Sequence, residues 1–382
     1  MRAFFVIVWF GLLCLPVAQM VYPMVQERPM MENRVLAKLP PMSADALLSP
    51  GATLRDVYRW FNDNFGFRIT LTRVRTEINY AFRYSERVHI TKFGWLYYRS
   101  VLDGAKVENA RLSDEEIGHI ADRFAKLHSY FASRGMRLLV VSVPQKDALY
   151  FYAVPKDAPR FRPPFAFDRL RDALNARLGS DHIDGAIVLR AAQARGLQTY
   201  HRTDFHWTDP AGGEVGRAVV NRIAALEGDE SLQWTAEIPT RQVELIGGES
   251  QELPLFSPLW EKTVAADIDW RSEEFGRFQW KPEAGIPLNL AFPLTHSFEW
   301  KAKAEVGKLP AAAFITNSYG ESFWRSGVHQ RFRELHSYRR VAGPEWMART
   351  IAAIPSNSRY VVFEFHEAEM RDVAIFDWMQ LR

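Results

Sequence analysis

Apolar positions along the chain fall into three regimes. The first is one uncharged run, Ala3 to Gln26, whose core from Phe4 to Leu15 is almost wholly apolar. About 20 apolar residues suffice to span a bilayer, so the run reads as a signal peptide or an uncleaved signal anchor over residues 1–26. Pro16, two positions before a cleavage point after Ala18, spoils the small-x-small pattern and favours the anchor. Arg2 then stays inside and the rest of the chain is exported. Residues Glu27 to Pro50, rich in Pro, Met and polar side chains, predict a tether over about 27–52.

The second regime is helical and strand-like by turns. Val57, Trp60 and Phe61, then Leu71, Val74 and Ile78, recur at helical spacing, and Asn64-Phe65-Gly66 splits them into two helices. Phe93 to Tyr98 reads as a short strand. Ser113 and Glu116 form a capping box ahead of a face marked by Ile117, Ile120, Phe124, Leu127 and Phe131, with Gly135 as the stop. The continuous apolar run Leu138 to Val143 then reads as a buried strand. A long helix feeding such a strand predicts an α/β architecture, a parallel sheet with helices on both faces. Further helices are predicted over about 168–178 and 188–195, and after Asp209-Pro210, where Asp209 can cap and Pro210 suits the first position.

The third regime, about 227–310, loses helical periodicity. Short alternating stretches such as Gln242 to Ile246, punctuated by Gly, Pro and Trp, predict a β-rich insertion. The α/β pattern returns with a strand at Ala311–Ile315, a turn at Asn317-Ser318-Tyr319-Gly320, a helix from Glu321, and a last strand at Tyr360–Phe365.

Composition narrows the class. With 382 residues and 47% apolar content the chain can bury a substantial core. A net charge of +3 without a long basic block argues against a nucleic-acid partner. The single cysteine, Cys14, excludes an internal disulfide and a Cys-ligated zinc site. Gly11-Leu12-Leu13 before it does not resemble a lipidation site.

Two segments carry candidate chemistry. In Tyr200 to Pro210, Asp204 and His206 are two apart. In extended backbone they project to one side, so the carboxylate can orient the imidazole and stabilise its cation. In Phe314 to Gly320, an apolar strand ends in a tight turn that presents Ser318, where backbone N–H groups and a helix N-terminus can stabilise an oxyanion. Ser322 is a rival, set back within the predicted helix. On these residues alone other readings stay open: a purely structural Asp–His pair, or a metal site made with His201.

The two segments together resemble the alginate O-acetyltransferase family of AlgX/AlgJ type, within the SGNH-hydrolase-like proteins. The motif residues are Asp204-Phe205-His206-Trp207 and Asn317-Ser318-Tyr319. Glu32-Asn33-Arg34-Val35-Leu36-Ala37, Phe61 to Arg68, Gly94-Trp95-Leu96-Tyr97 and Val143-Pro144-Gln145-Lys146 look like further landmarks. The resemblance spans about 30–225 and 311–365. Asn317 stands where many relatives have Asp or Thr, and 227–310 shows no recognisable family landmark.

The resemblance implies a three-layer α/β/α sandwich in permuted order over 53–382, with Asp and His preceding Ser. It implies O-acetylation of an exported polysaccharide in the periplasm, from the inner membrane, with acetyl delivered by a membrane-spanning O-acyltransferase and no cofactor or metal. Ser318 would be the nucleophile, His206 the base and Asp204 its orienter. The backbone at Ser318 or Tyr319 would serve the oxyanion, with Asn317, Lys146, Tyr200 and Trp207 around the pocket. In plainer terms Trp207 can be core and Lys146 a solvated charge. No C-terminal carbohydrate-binding module is expected. An exported esterase using the same triad, and a non-catalytic polysaccharide-binding component of an export complex, are the alternatives.

Overall fold

The computed structural model describes residues 2–27, 35–41, 43, 49–154, 156, 158, 165–281, 294, 296–340, 344–372 and 376. The landmark residues Glu32, Asn33 and Arg34, much of the tether, and 282–293 of the insertion lie outside them. The chain forms two compact units, Met1–Ser85 with Ser250–Leu259, and Glu86–Glu249 with Trp260–Arg382.

In the first unit, helix α1 (Arg2–Val21) is long and apolar enough to cross a membrane. Helices α2 (Pro50–Asn64) and α3 (Arg68–Ala81) are separated where the sequence predicts, with Phe67 in the left-handed region at φ +61°. Pro50 opens α2 because its fixed φ suits a first helical turn and its missing N–H is not needed there. At the other end, Asp63 Oδ2 accepts from the Ala37 N–H at 2.8 Å and Asn64 Nδ2 donates to the Ala37 carbonyl at 3.1 Å. The Asn62-Asp63-Asn64 landmark therefore pins the tether to the end of α2.

The second unit contains, in order, β1 (Val88–Ile90), β2 (Leu96–Tyr98), α4 (Asp114–Ala132), β3 (Arg137–Val143), α5 (Ala166–Leu178), β4 (His182–Asp184), α6 (Gly185–Ala194), α7 (Asp209–Glu227), β5 (Thr240–Leu245), β6 (Glu261–Ala266), β7 (Gly276–Lys281), β8 (Ser297–Ala302), β9 (Ala312–Thr316), α8 (Glu321–Arg325), β10 (Glu334–Arg339), α9 (Pro344–Ala353) and β11 (Tyr360–His366), besides shorter turns. Strands β1 and β2 form an antiparallel pair, as do β5 and β6. The main sheet has the order β4-β3-β11-β9-β10-β8-β7. Its first five strands are parallel, and β8 and β7 add in antiparallel fashion at one edge.

Strand pleating divides the core between two faces. Leu139, Val141 and Val143 of β3 and Phe314 of β9 point to the side covered by α7, where Val215, Val219 and Ile223 are fully buried. Leu138, Val140, Ile315, Val361 and Phe363 point to the side covered by α4, α5 and α9. Each fully buried side chain of this kind stabilises the fold by about 1.5–3 kcal/mol. The layering is the α/β/α sandwich expected from the sequence.

Local signals carried over with two differences. The capping box at α4 forms: Ser113 Oγ accepts from Glu116 N–H at 3.2 Å, and Glu116 Oε2 accepts from Ser113 N–H at 2.8 Å. At α7, however, Thr208 rather than Asp209 is the N-cap, its hydroxyl accepting from Ala211 N–H at 3.4 Å, and Asp209 begins the helix. The insertion supplies strands to two sheets, a placement that the sequence does not indicate. Its β7 and β8 extend the main sheet, while β5 and β6 stand apart as a pair.

Candidate active site

Asp204 and His206 lie in a tight excursion closed by an antiparallel bridge between Tyr200 and Trp207. The backbone is bent rather than extended, and the i,i+2 pairing arises from an Asx turn. Asp204 Oδ1 accepts from the His206 backbone N–H at 2.9 Å and from its Nδ1 at 2.7 Å. Asp204 Oδ2 accepts from the Gly248 N–H at 2.5 Å. Burial works to raise the Asp204 pKa, but these hydrogen bonds and the His206 ring outweigh it and hold the carboxyl well below the usual carboxylate range. His206 Nε2 is buried and has no hydrogen-bond partner among the described residues.

Buried charges hold this excursion. Glu261, fully buried at the start of β6, accepts from the Arg202 N–H at 2.7 Å through Oε1, and from the Thr203 N–H at 2.7 Å and hydroxyl at 2.8 Å through Oε2. Lys146 donates to the carbonyl of Asp204 at 3.0 Å and pairs with Glu249. Burial raises the Glu249 pKa to about 7, against the pull of the Lys146 ammonium. His201 turns its Nδ1 to Thr263 Oγ1 at 2.8 Å, and burial lowers its pKa despite nearby Glu261. Among the described residues no group of three or more His, Cys, Asp or Glu side chains is arranged to hold a metal.

Ser318 follows β9 in a 3₁₀ turn, Ser318–Gly320. It is half-buried, and its hydroxyl has no protein partner among the described residues. Asn317 fixes the turn: its N–H donates to Glu364 Oε2 at 2.9 Å, its carbonyl accepts from Arg339 at 3.0 Å, its Nδ2 donates to Glu369 at 3.1 Å and its Oδ1 accepts from the Tyr319 N–H at 2.8 Å. Of the two expected oxyanion donors, the Tyr319 N–H is thus already committed, and Asn317 is a brace. The following helix α8 is only five residues long, so it offers little dipole of its own. The rival Ser322 is buried and donates to Asp209 Oδ1 at 3.2 Å.

The two segments are fastened together. Trp207 Nε1 donates to the Tyr319 carbonyl at 2.9 Å, and the Tyr319 hydroxyl donates to the Phe205 carbonyl at 2.8 Å. The His206 and Tyr319 rings lie 4.9 Å apart between centroids. Ser318 is therefore in the turn that packs on the His206 ring. Lys146, Tyr200 and Trp207 are all buried beneath the excursion, with Tyr200 donating to the Pro144 carbonyl. They reach the chemistry by positioning the loop, not as open pocket walls. Residue-type signals did not reveal Glu249, Glu261, Glu364 or Glu369, whose roles arise only from tertiary contact. Burial and the neighbouring Glu369 carboxylate push the Glu364 pKa up to about 8.

The parallel strands carry an Asp–His pair and a strand-end serine near one end of the sheet. Residues 88–254, less than half of the chain, match the family described as SGNH hydrolase-like domain, acetyltransferase AlgX. No curated protein sequence matches the chain. Similar solved structures include the O-acetyltransferase domain of Pseudomonas putida AlgJ, 17% identical over 74% of this chain and 92% of that one, with a TM-score of 0.45. Bacillus cereus PatB1 with a sulfonyl adduct is 11% identical over 74% of this chain and 97% of that one, at 0.50. Pseudomonas aeruginosa AlgX is 10% identical over 75% and 66%, at 0.38.

Proposed function

We propose that the chain is an O-acetyltransferase that acylates an exported polysaccharide through an acetyl-Ser318 intermediate. The observation that carries the reading is the state of His206: Nδ1 is held by an ionised Asp204 while Nε2 has no partner among the described residues. That is what a general base beside a nucleophile needs. The match of residues 88–254 to an acetyltransferase family supports acyl chemistry at this site.

In this reading Ser318 Oγ attacks the carbonyl carbon of an acetyl donor as His206 Nε2 takes the hydroxyl proton. Asp204 stabilises the imidazolium so formed, and the Ser318 N–H holds the oxyanion. Collapse breaks the bond to the leaving group, which takes the proton from His206. A sugar hydroxyl then gives its proton to His206 and attacks the acetyl carbon, and the bond to Ser318 breaks as Ser318 Oγ takes that proton back from His206. The apolar helix α1 would hold the domain at the outer face of the inner membrane, where a membrane-spanning O-acyltransferase could hand over acetyl.

The test is incubation of the purified chain with an activated acetyl ester, with and without oligosaccharide. Acetylated sugar, and an acetyl group trapped on Ser318 by mass spectrometry, are the expected results. Free acetate alone would make the chain an esterase, and unchanged activity in Ser318→Ala would remove the nucleophile assignment.

A further inference from the structure

A cleft of about 540 Å³ is lined in part by residues that closely follow each half of the candidate site in sequence. One wall comes from the first residue of α7 and from α8, three residues beyond His206 and three beyond Ser318 respectively. The other comes from the insertion, chiefly residues 265–271 at and beyond the end of β6. This size suits a few sugar rings. The segment linking the walls is β6, whose Glu261 also holds the Asp204 excursion.

The charges in the cleft decide what it can take. Four carboxylates and three guanidiniums line it, and Arg339 pairs with the Glu321 carboxylate at 3.0 Å, so the charges balance and no excess positive charge is left. Arg325 is tied to Glu321 at 2.9 Å and lies 3.5 Å from Asp209. Arg241 lies 3.8 Å from Asp267. Arg271 covers the Trp270 ring at 4.6 Å, with Asp269 close by in sequence. Two of the three cations are thus matched by carboxylates before any ligand arrives. A polyuronate, with about one negative charge per sugar, would find little unpaired positive charge and would meet the Asp269 carboxylate. Vicinal hydroxyls suit the same wall well: they donate to carboxylates, accept from guanidiniums, and carry no charge to be repelled.

Resting on the acetyl-transfer reading, we propose that this cleft is the acceptor subsite and that it takes a neutral, hydroxyl-rich glycan in preference to a polyuronate. The full chain is titrated calorimetrically with a neutral β-1,4-glucan hexasaccharide and with a mannuronate hexasaccharide. The neutral probe is expected to bind tighter by about tenfold or more, equivalent to 1.4 kcal/mol. The exposed pair Asp267→Ala and Asp269→Ala, combined in one variant, should weaken it by a comparable factor. Tighter binding of the mannuronate, binding of neither probe, or neutral binding untouched by the double substitution would overturn the assignment. The Ser318→Ala chain separates the two readings: it should bind the neutral probe normally and lose ester cleavage. Ester cleavage that survives in that variant counts against the acetyl-serine reading and leaves the subsite standing.

Discussion

Replacing Asp204 with Asn tests the site at its most constrained point. The carboxylate accepts three N–H donors: two on Oδ1, from the His206 backbone and ring, and one on Oδ2, from Gly248. An amide keeps one oxygen. With that oxygen toward His206, the new NH₂ points at the Gly248 N–H, and one donor loses its acceptor in a buried site. With the amide turned over, the NH₂ faces the His206 backbone N–H, and the ring can pair only by accepting at Nδ1. Its proton then sits on Nε2, the atom that must be a base. Either way a buried donor goes unmet, costing about 1–3 kcal/mol. The imidazolium also loses its counter-charge, and about 10³–10⁴ of the rate should go with it. Urea unfolding and ester hydrolysis at pH 7 read the two effects separately. The wild-type carboxyl titrates lower folded than unfolded, so its stabilisation is present above the unfolded pKa and lost as pH falls through the folded one. The Asn variant should lack that acid-side loss. A variant keeping more than about a tenth of the wild-type rate would refute the orienting role, since a tenfold loss is only 1.36 kcal/mol of barrier.

Three further outcomes follow from the same contacts. Glu249 has its pKa raised from 4.5 to about 7, so its contribution to stability is full below 4.5 and fades as pH climbs through 7. Glu249→Gln should flatten the stability profile across that window in denaturant titrations. Lys146→Met strands Glu249 without its cation and should cost about 3–5 kcal/mol at pH 8, less at pH 5 where Glu249 can take a proton. A β-carbon at Gly212 of α7 would sit 2.5 Å from Ser322 Cβ and 2.7 Å from Trp207 Nε1. Gly212→Ala should therefore destabilise the fold by about 1–3 kcal/mol by thermal melt and disturb the Trp207–Tyr319 clasp.

Much of this architecture was legible because its signals are local. The Ser113–Glu116 box, the mainly apolar run of β3 and the i,i+2 spacing of Asp204 and His206 each depend on neighbours a few residues away. The strand-end position of Ser318 could be read from Phe314 and Ile315 before it and Gly320 after it. The mechanism of the Asp–His pairing was misread, because a bend and a flat strand share the same spacing. Longer-range features were invisible. Nothing near Glu261 in sequence says it will accept three hydrogen bonds from residues 202 and 203. The edge strand β7 did leave a trace: Arg277 to Lys281 alternates exposed and half-buried positions, with Phe278 and Trp280 packed on the core side. A short alternating stretch does not name its partner strand, so membership in the main sheet could not be read from it.

The reach of Gly248, Glu249 and Glu261 back into the Asp204 excursion limits how this protein can be re-engineered or diversify. Replacing residues 227–310 wholesale to alter glycan preference would strip the Asp204 loop of its hydrogen-bond partners Gly248 and Glu261 and of the Glu249 carboxylate that pairs with Lys146. A chimera that keeps those three positions and exchanges only 265–271 would leave the loop's hydrogen bonds untouched. With the cleft as acceptor subsite, variation in specificity would fall on that stretch together with Arg241 and Leu294.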